Sequence, residues 1–235
     1  MDVDKYSVTI DLNDSDTLTF LRGKNLRVYK SVGSDSSGLP VVWFSQNQLS
    51  QSVTFSWTET YGGFVTDGGT PTQGISVKDV SEHSMTLGQI IKASNDGNVS
   101  LSNGGVEGAI TVQNTDTRDW MCGMGQEVNG TFSPICAFDL GGKDESVIMM
   151  PYEKVLLVFE SSKQIDTGTV IAEAISASCT IELDGKNRDR IVSFRKSTGW
   201  TTNTDVWVTL NSNDLDLATT LIVSNSAKAD VKAAA

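Results

Sequence analysis

Residues 52–58 read SVTFSWT, with Val53, Phe55 and Trp57 at every second position and Ser or Thr between them. A period of two puts the apolar set on one face of an extended chain and the polar set on the other; a helix would scatter both. The same alternation returns over 6–12 (YSVTIDL), 25–32, 75–80, 85–92 and 206–210. Turn signals such as Asn95-Asp-Gly-Asn, Asn103-Gly-Gly and Gly141-Gly-Lys-Asp separate the runs at the spacing of sandwiches and barrels. No sustained helical stripe with caps precedes the C-terminal tail. The pattern predicts an all-β protein: an antiparallel β-sandwich built as one domain from residues 1–223, with a loose polar, alanine-rich tail over 224–235.

The stretch 120–159 holds the most apolar run and reads as the centre of that fold. Within it, 123–130 is glycine-rich and reads as a loop, 131–140 as a strand, and 147–150 and 154–159 as strands separated by Pro151. Elsewhere, 18–20 and 220–223 read as strands, and Tyr61-Gly62-Gly63-Phe64 as a tight turn or bulge. Residues 167–174 carry both periodicities and read as strand on their β-branched start. Residues 179–183 and 191–194 read as a hairpin around Asp184-Gly185.

The chain has 235 residues, 38% of them apolar, and a formal net charge of −11. Such an acidic surface is repelled by phosphate backbones and lacks the basic clusters that anionic lipids attract, so nucleic-acid binding is not expected. The N-terminal residues MDVDKYSVTIDLND lack the basic and apolar regions of a signal peptide, and no apolar run reaches membrane-spanning length. The expected location is cytoplasmic, or outside the cell by a non-classical route. Three cysteines, Cys122, Cys136 and Cys179, favour free buried thiols, although Cys122 and Cys136 flank a turn that a disulfide could span. Asn13, Asn98 and Asn129 head glycosylation-type triplets, which read as chance matches in a chain rich in Asn, Ser and Thr.

No catalytic motif emerges. The single histidine, His83, reads as a turn residue, and a triad needs partners that converge in space. One histidine and three scattered cysteines do not make a zinc site. Gly123-Met-Gly-Gln lacks the third glycine and the following helix of a dinucleotide fingerprint. Asp11, Asn13, Asp14 and Asp16 have the hard oxygen ligands that Ca or Mg accepts, without the glycine and closing glutamate of an EF-hand. Among the acids, Glu59, near Trp57 and Tyr61, is the first candidate for carboxylate chemistry. Tyr61, Phe64 and Trp200 read as loop aromatics able to meet a ligand. Arg188 and Arg190, with Arg195 and Lys196, form the one basic cluster, suited to a carboxylate.

In the segments SVTFSWTETYGGFV, GTFSPICAFDL, PYEKVLLVF and TGTVIAEA the chain resembles small soluble β-sandwich proteins of fungal fruiting bodies. That group takes in lectins, actinoporin-like cytolysins and the pink chromoprotein of oyster mushrooms. The resemblance carries no functional residue across. It departs from actinoporin-like lectins in length and sugar-site pattern, and from aegerolysins in length and in their Trp-rich segment. The expectation is a non-enzymatic protein holding a small organic molecule (a pigment among them) or a glycan in an aromatic-lined pocket. Two alternatives stand beside it: a pore-forming β-protein that inserts alternating strands from 62–101 into lipid, and a carboxylate-based glycoside hydrolase. Exposed sheet edges would permit a homodimer.

Overall fold

The computed structural model describes residues 5–77, 82–94, 98–161, 165–201 and 206–224. Outside them lie the Asn95-Asp-Gly turn, the end of the 75–80 run, most of the Thr/Asn-rich loop after Trp200, and nearly all of the tail.

The described residues are nearly all β, in two nine-stranded sheets and a small pair. The first sheet runs in the order Gly199–Thr201, Asp189–Arg195, Lys5–Asp11, Ser52–Thr66, Trp120–Val128, Cys136–Leu140, Gly38–Pro40. Thr131–Pro134 pairs with Trp120–Val128, and Glu82–Met85 with Ser52–Thr66. The second runs Val208–Asn211, Ser178–Glu182, Ser146–Ser161, Ile110–Asn114, Gln89–Ala93, Val99–Asn103. Lys24–Ser34 also pairs with Ser146–Ser161 and carries Phe44–Gln46 and Ile222–Ser224.

The expected strictly antiparallel arrangement is corrected. Lys5–Asp11 runs parallel to Asp189–Arg195, Gln89–Ala93 to Ile110–Asn114, and Lys24–Ser34 to Ile222–Ser224. Alternation tells which face a residue takes and says nothing of strand direction, which is set by long crossovers.

One apolar cluster joins residues of both sheets. Tyr6, Val8 and Ile10 stand opposite Trp57, Phe55 and Val53 in register, and the cluster continues through Trp43, Leu26, Val28, Val155 and Leu157. The ring of Trp43 meets those of Phe55 and Trp57 edge-on, at 6.3 and 5.4 Å between centroids. Lys24–Ser34 is buried on both sides. Leu26, Val28 and Val32 face this core, while Tyr29 joins Leu156, Val158, Leu217 and Leu221 in a second cluster.

Several local expectations change. Ser15–Phe20 is a helix, because Asp14 accepts the N–H groups of Asp16 and Thr17 and caps it. Leu217–Leu221 is a second short helix, capped by Asp216. The runs around Pro151 form one strand, Ser146–Ser161, whose register slips between Pro151 and Val155. Ser178–Glu182 and Asp189–Arg195 belong to different sheets and make no hairpin. In 167–174 only Glu173–Ala174 is strand, paired with Leu215–Asp216.

The glycines of Tyr61-Gly62-Gly63-Phe64, and Gly123 and Gly125 of the 123–130 run, lie inside strands, not in turns. They serve close packing. A Cβ on Gly123 would fall on the Cys136 carbonyl oxygen and the Phe64 ring, and one on Gly63 would come within 2.5 Å of Ile91 Cδ1. The three cysteines are free and buried, as expected; burial pushes the thiols of Cys136 and Cys179 up to about 12.

Candidate functional site

Two neighbouring grooves lie where Ser52–Thr66 meets the hairpin of Trp120–Val128 and Thr131–Pro134. One, of about 250 Å³, is lined by Lys5, Ser56, Thr58 and Asn129; the other, of about 230 Å³, by Thr60, Tyr61, Ser84 and Phe132. Glu127 and Gly130 line both. Together they fall in the range of roughly 300–1,000 Å³ usual for small-molecule sites. A third cavity of about 280 Å³ lies between the 34–38 loop and Thr219, with no aromatic side chain in its lining.

The local sequence explains the shape. Asn129 and Gly130 both take positive φ, 49° and 79°, which a tight hairpin turn demands. The turn is tied to the neighbouring strand twice. Asn129 N–H donates to the Ser56 carbonyl at 2.8 Å, and Ser56 N–H donates to Asn129 Oδ1 at 2.9 Å. The Phe132 ring occupies space left by two glycines: a Cβ on Gly62 would lie 2.7 Å from its Cε2, and one on Gly125 would meet the same ring.

Behind the grooves the strand is anchored by a polar cluster set into the core. The Glu153 carboxylate accepts from Trp57 Nε1 at 2.7 Å and from the Tyr61 hydroxyl at 3.3 Å, and pairs with Lys30 Nζ at 2.8 Å. Lys30 is fully buried, with Nζ 4.9 Å from the Trp57 ring centroid and 5.2 Å from that of Trp43. Burial pushes its amine down to about 8 against the opposing pull of Glu153. The Tyr6 hydroxyl donates to Glu59 Oε1 at 2.9 Å, and the Arg188 guanidinium lies 5.9 Å from the Tyr6 ring. Trp43 Nε1 donates to the Gln126 carbonyl, and Gln126 Nε2 to that of Thr58.

Burial is the first cause raising the phenols of all four tyrosines, Tyr6, Tyr29, Tyr61 and Tyr152; Glu59 adds to it at Tyr6, and Glu153 at Tyr61. Each therefore stays protonated in the folded chain beyond the ordinary value of 10.0, while the unfolded chain releases its protons there. The unfolded state binds fewer protons above that point, so this contribution to stability is complete below pH 10 and is lost progressively as pH rises from there through the raised folded values. Titration of the near-ultraviolet phenolate band should show no rise near pH 10 in the folded protein. A single cooperative rise should accompany alkaline unfolding.

The structure brings together some of the residues singled out in the sequence. Tyr61 and Glu59 meet in the polar cluster, with Arg188 at its edge through Tyr6. Tyr61 and Phe64 lie within Ser52–Thr66, and Trp200 within Gly199–Thr201. All three are buried: the glycines beside Tyr61 and Phe64 make room for packing inside the strand, and Trp200 follows the turn at Gly199 into a short strand paired with Asp189–Arg195. Phe64 packs against Met121, Val41 and Val77; Trp200 stacks on Phe159 at 5.1 Å and donates Nε1 to the Ala177 carbonyl. Arg190 lies 4.4 Å over the Trp207 ring. His83 sits in strand Glu82–Met85, not in a turn.

The acidic run from Asp11 has other tasks. Asp11 pairs with Arg195 at 2.6 Å and accepts the Asn13 N–H; Arg195 holds its carboxyl below the usual range. Asp14 caps the helix, and Asp16 lies in its first turn. Among the described residues no three His, Cys, Asp or Glu side chains gather as a metal-binding group.

Lys30, Glu153, Glu127 and Phe132 do not stand out in the sequence, and Asn129 does so only as the head of a glycosylation-type triplet. Lys30 had a signal: it occupies a core-face position between Val28 and Val32. So did Asn129-Gly130, a strong hairpin dipeptide. No family model, curated protein or solved structure matches this chain.

Proposed function

We propose that this chain is a non-enzymatic binding protein on a β-sandwich scaffold, and that it holds a neutral, hydroxyl-rich small molecule, a saccharide, in the double groove. The observation that carries this reading is the lining. Ser56, Thr58, Thr60, Ser84 and Asn129 supply alternating donors and acceptors, Glu127 stands between the lobes, and Phe132 offers one aromatic face. Sugars present hydroxyls at their rims and C–H faces to aromatic rings, so this mixture suits them. Lys5 and Glu127 oppose one another in charge, which gives an anion or a cation no advantage. The anchors on Glu153 and Asn129 hold the walls in place before a ligand arrives, which lowers the ordering cost of binding.

Calorimetric titration of the full chain with neutral mono- and oligosaccharides tests this. Binding is expected. Glu127→Gln should weaken it by roughly tenfold or more, the loss typical of one hydrogen bond to a charged group. No heat from any sugar, or equal affinity in that variant, would remove the proposal.

The hydrolase reading is favoured by one observation: Glu59 and Glu153 are both bonded to tyrosines of the same cluster. Three donors already occupy Glu153, which suits an anchor better than an acid handing a proton to a leaving group. Release of reducing sugar from oligosaccharides by wild type, lost in Glu59→Gln, would establish hydrolysis instead.

A further inference from the structure

We infer that Lys30 and Glu153 become joined by an amide bond, an intramolecular crosslink between strands Lys24–Ser34 and Ser146–Ser161. The geometry has the parts such a reaction needs. A primary amine and a carboxyl group lie in hydrogen-bond contact, Nζ to Oε2 at 2.8 Å, on neighbouring strands that hold them there. The amine is fully buried between the rings of Trp43 and Trp57. Holding two reacting groups together in a fixed geometry replaces a bimolecular encounter with an intramolecular step.

Keeping Nζ charged in the core is costly, and the reactive form of the amine is the neutral one. Burial already pushes the Lys30 amine down to about 8. The amine lone pair then attacks Cδ of Glu153. Trp57 Nε1–H, at 2.7 Å from Oε2, stabilises the negative charge that develops on that oxygen. The two protons that Nζ gives up end on Oε1, the oxygen to which the Tyr61 hydroxyl donates at 3.3 Å. The Nζ–Cδ bond forms, the Cδ–Oε1 bond breaks, and Oε1 leaves as water. Ammonium plus carboxylate becomes amide plus water, with no other reactant. Oε2 remains as the amide oxygen and keeps its bond from Trp57.

The position gives the bond a purpose. Backbone pairing between these strands slips between Pro151 and Val155, which face Val32 and Lys30. Glu153 lies inside that interruption, where the ladder holds the strand least. A covalent link there fastens the strand that anchors Trp57. The inference does not depend on what the grooves bind.

Mass spectrometry of the denatured full chain, freshly folded and again after storage, tests it. The expected mass is lower than that of the sequence by one water, and proteolysis should yield a branched peptide joining residues 30 and 153. The Lys30→Arg variant should have its full mass. An unchanged mass in both wild-type samples would overturn the inference. So would a deficit that maps to a cyclic imide at Asp67-Gly68 or Asp184-Gly185.

Discussion

Measured against wild type whose Lys30–Glu153 pair is still unjoined, Glu153→Ala is expected to lower the stability of the folded chain by about 3–5 kcal/mol, the range found when one partner of a buried ion pair is removed. The change strands Lys30 without a counter-charge in the core and takes the acceptor from both Trp57 Nε1 and the Tyr61 hydroxyl. Urea denaturation at neutral pH measures the loss. The double variant Lys30→Met/Glu153→Leu removes the orphaned charge with the pair and should recover part of it, because apolar side chains of similar volume can replace a buried pair. If the double variant were as unstable as Glu153→Ala, the cost would lie in the lost hydrogen bonds and not in the stranded ammonium.

Trp43→Ala should cost about 3–5 kcal/mol, the usual loss for a fully buried large aromatic. Trp43 is buried where three aromatic rings meet, with Phe55 and Trp57 packed edge-on against it. Its Nε1 also satisfies the Gln126 carbonyl, which alanine would leave bare. Trp57 leans on Trp43 and lines a groove, so ligand affinity should fall along with stability. Near-ultraviolet circular dichroism together with thermal melting would register both the lost ring packing and the lost stability.

How far the sequence reveals this molecule depends on the residue. The alternation of Val53, Phe55 and Trp57, and of Tyr6, Val8 and Ile10, is read correctly because a period of two leaves one choice of face. Direction and partnership are not encoded in that period. Lys5–Asp11 finds Asp189–Arg195 across most of the chain, and no local signal announces it. Gly62, Gly63, Gly123 and Gly125 mislead because a glycine that yields space to Phe132, Phe64 or Ile91 looks the same in sequence as one that turns the chain. The burial of Phe64 follows from that confusion; Trp200 is buried by a stack on Phe159 that no neighbouring residue announces. Asp14 and Asp16 look like ligands for a cation because a helix cap draws on the same acidic residues.

The candidate site was legible only in part. Tyr61 and Glu59 stand out through their aromatic neighbours, and Arg188 through its basic ones. Glu153 comes from a different sheet, and its role appears only when Ser146–Ser161 is laid beside Lys24–Ser34. Glu127 and Asn129 gain meaning from the hairpin that sets them over Ser56.

The most direct test of the saccharide site is to follow backbone amide resonances of the full chain while a neutral oligosaccharide is added. Saturable shifts confined to residues 56–60, 84 and 127–132 are the predicted result, and Glu127→Gln should raise the concentration needed to reach them. Shifts gathered instead around the 34–38 loop and Thr219, or none at any concentration, would contradict the account.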